Sequence, residues 1–474
     1  MLVGIVIFLF WFVAYPHALS YQEQYQLFLW TWDYFVERIS LPGGLADWLG
    51  EFIVQFYYVE WLGALLLALL FVALQRLSAR LLPKSLWWLS VLPVLFVWWL
   101  MGDINVLLSL PVAIVLALAL VLLIRPLLRP PLVPPALGGE MLVVIVAYWL
   151  IGPAVWLYIL VRVMQLGWKH LWTAGWLAAV QLMVYAWFLP QWPLQQAMTG
   201  LNYYRIPLHY PQLSGYDKDM YELIRMDYLV RNGRWDEIVR RAGVYQVKTP
   251  FWCNCVNLAL AEKHLLADRM FDFYQSGEDA LIMPRTRDLT SMLPSAEAFW
   301  RLGMVNSAQR YMFDTQESIL NGRKSGRCTK RIAECMIVNG HYQTATKQLD
   351  LLKKSLFYRK WAEEVGSGQY EKFRKLRYKE NFLYSYEEID KMFGLLFMDN
   401  KENKMALDYF LAQMLLKGNL RGFQQYLGLA QQYGGYRQMP LGYQDVIRFI
   451  QMQGNVQGSP FGDYAKRMIG GRGQ

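Results

Sequence analysis

With 474 residues, a net charge of +10 and four cysteines, the chain is long enough for two or three domains and too poor in cysteine for a disulfide scaffold. The average composition hides a split near residue 200: residues 1–199 hold 16 of the 20 tryptophans but only 8 Lys+Arg and 8 Asp+Glu, leaving 39 basic and 29 acidic residues for 200–474. The cations of the second half alternate with acids and form no block, which describes a solvated surface and speaks against nucleic acid as a partner.

The first apolar run, MLVGIVIFLFWFVAY, is followed by no small-residue cleavage site and reads as a retained anchor. The next stretch, SYQEQYQLFLWTWDYF, carries Glu23 and Asp33 among aromatic and aliphatic residues. At 100° per residue Glu23, Gln26, Asp33 and Glu37 share one narrow arc opposite Tyr21, Tyr25, Phe28, Leu29, Trp32, Phe35 and Val36, so residues 20–38 are expected to form an interfacial amphipathic helix with its carboxylates in water.

About 20 apolar residues are needed to cross a bilayer, and by that rule six spans are expected, near 2–16, 54–75, 85–101, 104–124, 141–163 and 171–189. Glu60 is expected a turn or two inside the second span, a costly place for a carboxylate and by default a pathway, a partner contact or a site. Arg76, Arg80, Lys84, Arg125 and Arg129 fall on one side of this topology, against Arg38, Arg162 and Lys169 on the other. That bias places the N-terminus and the second half in the cytoplasm, with lipid as one partner. The proline-rich RPLLRPPLVPPALGGE reads as a stiff connection.

Beyond residue 200 short helical patterns replace the spans, and no alternating run argues for a sheet. LVRNGRWDEIV, RLGMVNSAQRYMF, IVNGHYQTATKQL and LLKGNLRGFQQYL each end one helix at a glycine and open another. Gly233, Gly303, Gly340 and Gly418 lie 70, 37 and 78 residues apart, close to multiples of one period near 37. The expected fold is therefore all-α: a polytopic transmembrane domain of about six spans over 1–199, then a soluble α-solenoid of tetratricopeptide-like helix pairs over 200–474.

Chemistry-bearing motifs are sparse. Cys253 and Cys255 would point apart on a helix, the five histidines show no metal-ligand spacing, and no phosphate loop is present, so no metal or other cofactor is expected. Arg323, Lys324, Arg327, Lys330 and Arg331 form the densest basic patch, expected in an exposed inter-helix loop and able to meet a phosphate or an acidic peptide of a protein partner.

LSYQEQYQLFLWTWDYF with LPGGLADWLGEFIVQFYY, and SGRCTKRIAECMIVNGHY with LFYRKWA, resemble an uncharacterised group of Bacteroidetes inner-membrane proteins with a domain of unknown function. The resemblance spans nearly the whole chain and implies a bacterial envelope location without an activity. A fainter likeness is to GT-C membrane glycosyltransferases, which would give Glu23 or Asp33 an acid–base or divalent-metal role on a lipid-linked substrate, with Glu60 and Asp103 near the same outer-facing site. The span count, the lack of a paired-acid motif and the side assigned to the second half depart from that pattern. The leading expectation is a non-enzymatic scaffold that captures protein partners, with a transferase as the alternative.

Overall fold

The computed structural model describes residues 2–124, 134–189, 194, 198, 215–285, 290, 292–319, 323–379, 386–433, 436–454 and 456–471. Among them every regular element is a helix. Residues 125–133 of the proline-rich stretch and the expected domain boundary near 200 fall outside the described residues, whereas 134–140, expected as part of a stiff connection, open a helix, Pro134–Ile151, with both prolines in its first turn where no N–H is needed.

Two compact units emerge. The first comprises Met1–Tyr221 together with Leu320–Gly326 and Lys353–Lys360; the second comprises Glu222–Ile319, Arg327–Leu352 and Trp361–Gln474. The chain thus leaves the second unit twice to complete the first.

In the first unit α1 (Leu2–Leu9) runs through a π-turn, Phe10–Ala14, into α2 (Pro16–Glu23). Pro16 has no N–H to continue the ladder, and the axis bends by 81° there. α3 (Trp32–Ile39) and α4 (Gly44–Val54) follow as a tight hairpin. A Cβ on Gly44 would stand 2.0 Å from the Arg38 carbonyl oxygen, so only glycine allows this approach. α5 (Glu60–Leu81), α6 (Val91–Leu100), α7 (Ser109–Ile124), α8 (Pro134–Ile151), α9 (Val155–Leu166) and α10 (Trp172–Phe188) complete the helices of this unit used below.

The stretch expected as one interfacial helix is two. Residues 26–30 are non-helical between α2 and α3, because their backbone pairs with the two returning segments: Leu27 N–H donates to the Lys324 carbonyl at 2.9 Å and Trp30 N–H to that of Lys354 at 2.8 Å. Thr31 then caps α3, its hydroxyl accepting from Tyr34 N–H at 3.3 Å.

Six straight spans are not formed. Among the described residues two helical runs, Glu60–Leu81 and Gly138–Leu166, are long and apolar enough to cross a membrane, or three if α1 and α2 count as one bent span. α7, at 16 residues, reaches only about 24 Å. The third expected span divides into a 3-10 segment, Lys84–Ser90, and α6.

Gly138–Leu166 itself doubles back. A straight helix would separate Glu140 from Arg162 by about 33 Å, yet Arg162 Nε donates to Glu140 Oε1 at 3.1 Å and Nη2 to Oε2 at 3.3 Å. The reversal falls where Gly152 adopts φ +67° before Pro153, a conformation that ends α8. Hydropathy counts apolar residues and does not see this turn. Large apolar side chains remain exposed on the unit, among them Trp61, Leu69, Trp87, Phe96 and Trp187.

The second unit is built of helix hairpins around one core in which Trp252, Phe299, Trp300, Phe393 and Tyr409 are fully buried. Its helices include α11 (Trp235–Ala242), α12 (Pro250–Glu262), α13 (Leu266–Arg269), α14 (Met292–Leu302), α15 (Val305–Glu317), α16 (Gly326–Val338), α17 (Tyr342–Lys353), α18 (Ile389–Asp399), α19 (Lys404–Leu416), α20 (Leu420–Gln432) and α21 (Leu441–Gln451). Gly233, Gly303, Gly340 and Gly418 all take positive φ between consecutive helices, as expected of glycines that end a helix. All four cysteines are buried and unbridged.

Candidate functional site

The densest charged constellation of the first unit lies between α3 and α4. Tyr34 and Arg38 sit one turn apart on α3, and Asp47 and Glu51 one turn apart on α4, so each pair shares a helix face. The hairpin at Gly44 turns those faces toward each other, and Arg323 enters from the returning segment.

Arg38 Nε donates to Glu51 Oε2 at 3.0 Å, and Tyr34 donates its hydroxyl proton to the same oxygen. Arg323 Nε donates to Glu51 Oε1 at 2.7 Å, and its Nη2 to Asp47 Oδ1. The Glu51 side chain is 1% exposed and that of Arg323 7%. Two cations therefore face two anions inside the unit, with both Glu51 oxygens occupied.

The electrostatics follow from this enclosure. Burial disfavours the Glu51 carboxylate, but Arg38, Arg323 and the Tyr34 hydroxyl outweigh it and hold the group below the usual glutamate range. Asp47 moves the other way: burial and the Glu51 charge push it up against the opposing pull of Arg323 and Arg38. Burial, reinforced by Glu51, raises Tyr34 far above its ordinary value, so it remains a proton donor.

The four carboxylates singled out from sequence occupy different settings. Glu23 is buried at the end of α2 and accepts from the Tyr358 hydroxyl at 2.6 Å. Asp103 is buried in the turn before α7, where it accepts from the Asn105 backbone at 3.0 Å and from its side-chain amide at 3.2 Å. Asn105 in turn accepts from Tyr21 of α2 at 3.3 Å, two residues before Glu23. Asp33 is exposed on α3. Glu60 is the first residue of α5 and half-buried, not a turn or two inside the span.

The basic patch is likewise not one exposed loop. Arg323 is in the ion cluster and Lys324 is exposed, whereas α16 begins at Gly326 and carries the other three. Arg327 grips Asp227 with two donors at 2.6 and 3.0 Å. Lys330 lies over the Trp361 ring at 4.8 Å. Arg331 pairs with Glu297 and Glu334, each at 2.7 Å, over the Trp300 face. Burial pushes Lys330 below its ordinary range, so this helix face is packed and no longer a free basic surface.

Among the described residues no group of three His, Cys, Asp or Glu side chains is placed to hold a metal ion. The residues that matter most, Tyr34, Arg38, Asp47 and Glu51, had one legible signal, their repeated spacing of four. Their partner Arg323 stood out only as one of the basic patch, and nothing in the sequence pairs it with Glu51, 272 positions away.

A family model matches residues 1–465, both halves of this architecture included. The chain belongs to the family of unknown function DUF6057. No curated protein and no solved structure matches it. Within this DUF6057 chain the ion cluster couples N-terminal helices to a segment from its last third, so the family model covers the partners on both sides.

Proposed function

We propose that this DUF6057 protein is a non-enzymatic scaffold of the bacterial inner membrane. In this reading the apolar first unit anchors the chain in lipid, and the hairpins of the second stack as tetratricopeptide-like repeats that hold a protein partner. The observation that carries it is the closed pairing of Asp47 and Glu51 with Arg38 and Arg323. General acid–base work needs a group free to exchange a proton with substrate. Here the best-organised acids are spent on internal donors, and charge balance makes them a structural knot.

The test is complementation of a deletion strain together with isolation of the full-length protein in detergent. Glu23→Gln, Asp33→Asn, Glu60→Gln and Asp103→Asn, made singly, are expected to keep function wherever the protein accumulates normally, and one partner is expected at fixed stoichiometry. A folded, normally abundant amide variant without function overturns the scaffold reading in favour of a GT-C-like transferase on a lipid-linked substrate. For the side of the membrane, a cysteine replacing Val244, which is 87% exposed, reports through an impermeant thiol reagent. Protection until cells are opened agrees with a cytoplasmic second unit.

A further inference from the structure

The second unit contains an open cleft of about 870 Å³ that the ion pairs above do not use. It is lined by Asp268 of α13, Lys404 and Asp408 of α19, Tyr436, Met439 and Leu441, with His264 also on its wall. Its volume falls in the range of small-ligand and peptide sites.

Asp408 is the deepest polar group, 5% exposed, and among the described residues it receives a single hydrogen bond, from the Tyr436 hydroxyl at 2.5 Å. A carboxylate has room for about four donors, so most of its capacity is unmet among the described residues. Asp268 adds a second carboxylate, one oxygen of which caps α21 by accepting from Leu441 N–H at 2.6 Å. Lys404 is also turned toward the Phe397 ring, 5.7 Å from its centroid. An anion entering the cleft would meet two carboxylates. A cation on an aliphatic stem would meet them at its head, with the Tyr436 ring and the exposed Leu441 beside its methylenes.

We propose that this cleft binds the side chain of a lysine or arginine presented by a peptide segment of a protein partner. The inference rests on the scaffold reading and locates its contact. Burial, with Asp268 adding to it, raises the Asp408 carboxyl to about 7, against the lowering effects of the Tyr436 hydroxyl and Lys404. The titratable groups of the cleft are therefore Tyr436, Asp268 and Lys404 beside Asp408 and the exposed His264 on the wall, with the buried Tyr443 of α21 adjoining. An entering cation favours the ionised form, so binding releases a proton and strengthens as pH rises through neutrality.

The experiment titrates the full-length protein in detergent with capped Gly-Arg-Gly and, as control, capped Gly-Glu-Gly, by calorimetry in two buffers of different ionisation enthalpy. The arginine peptide is expected to bind with proton release between pH 6 and 8, and the glutamate peptide not to bind. Asp408→Asn should weaken the arginine peptide at least tenfold, whereas Lys404→Gln, which removes a repelling charge, should strengthen it. Tyr436→Phe keeps the ring and should retain binding. Equal affinity in Asp408→Asn, preference for the glutamate peptide, or no binding at millimolar concentration overturns the proposal. Those results leave a co-purifying partner unaffected, so failure of the cleft and failure of the scaffold reading are told apart.

Discussion

Arg323 donates to Asp47 across 276 positions of sequence and to Glu51 at 2.7 Å, closing a buried cluster that α3 and α4 leave with one cation against two anions. Removing one partner of such a pair strands a charge, at a cost of about 3–5 kcal/mol. Arg323→Ala is therefore expected to lower the thermal midpoint of the detergent-solubilised protein by many degrees. A loss within experimental error would mean that water already reaches the pair.

The same cluster sets an acid limit. Glu51 lies below its ordinary range when folded, so its contribution is present above the unfolded carboxylate value and is lost as pH falls through the folded one. Unfolding followed from pH 6 to pH 3 should show a steep loss at the acid end that is shallower in Glu51→Gln. Parallel acid limbs for the two proteins would assign that loss to other carboxylates.

Asp408 has the opposite sign. Its folded carboxyl, raised from 3.8 to about 7, keeps a proton that the unfolded chain gives up, so stability falls as pH rises through that window and levels off above it. The advantage of Asp408→Asn over the wild type should grow from pH 4 to pH 7 and then stay constant. Thermal midpoints across that range decide it, and an advantage that shrinks with pH contradicts the assignment.

Gly44 and Gly340 separate steric from conformational demand. A Cβ at Gly44 meets the Arg38 carbonyl at 2.0 Å, whereas at Gly340 it meets nothing within 4 Å and faces only a φ of +80°. Gly340→Ala should cost on the order of 1 kcal/mol for its left-handed backbone. Gly44→Ala should cost more and disturb the Arg38–Glu51 pair, and unfolding curves showing the reverse order would refute this account of the hairpin.

The reversal at Gly152 is open to cross-linking. Cysteines replacing Glu140 and Arg162 should be joined within one chain by a short bismaleimide, because their side chains meet at 3.1 Å. A straight helix would hold them about 33 Å apart and give no intramolecular product.

Much of the architecture is local and was legible. The 3.6-residue periodicity marks helices wherever it occurs, and the Gly233, Gly303, Gly340 and Gly418 turns follow from the one residue that takes a left-handed backbone without strain. The clustering of tryptophan before residue 200 and of charge after it likewise identified an apolar half and a polar one.

What periodicity does not carry is which faces meet. Glu23 lies on a wheel arc that looks wet, yet Tyr358 covers it; Glu140 and Arg162 look like opposite ends of one span, yet a single left-handed glycine brings them together. Sequence by itself determined the helices and the residue types available to them. Only the tertiary structure decided their partners, because a charge buried beside its counterion and one facing water have the same local sequence and differ in what the rest of the chain brings to them.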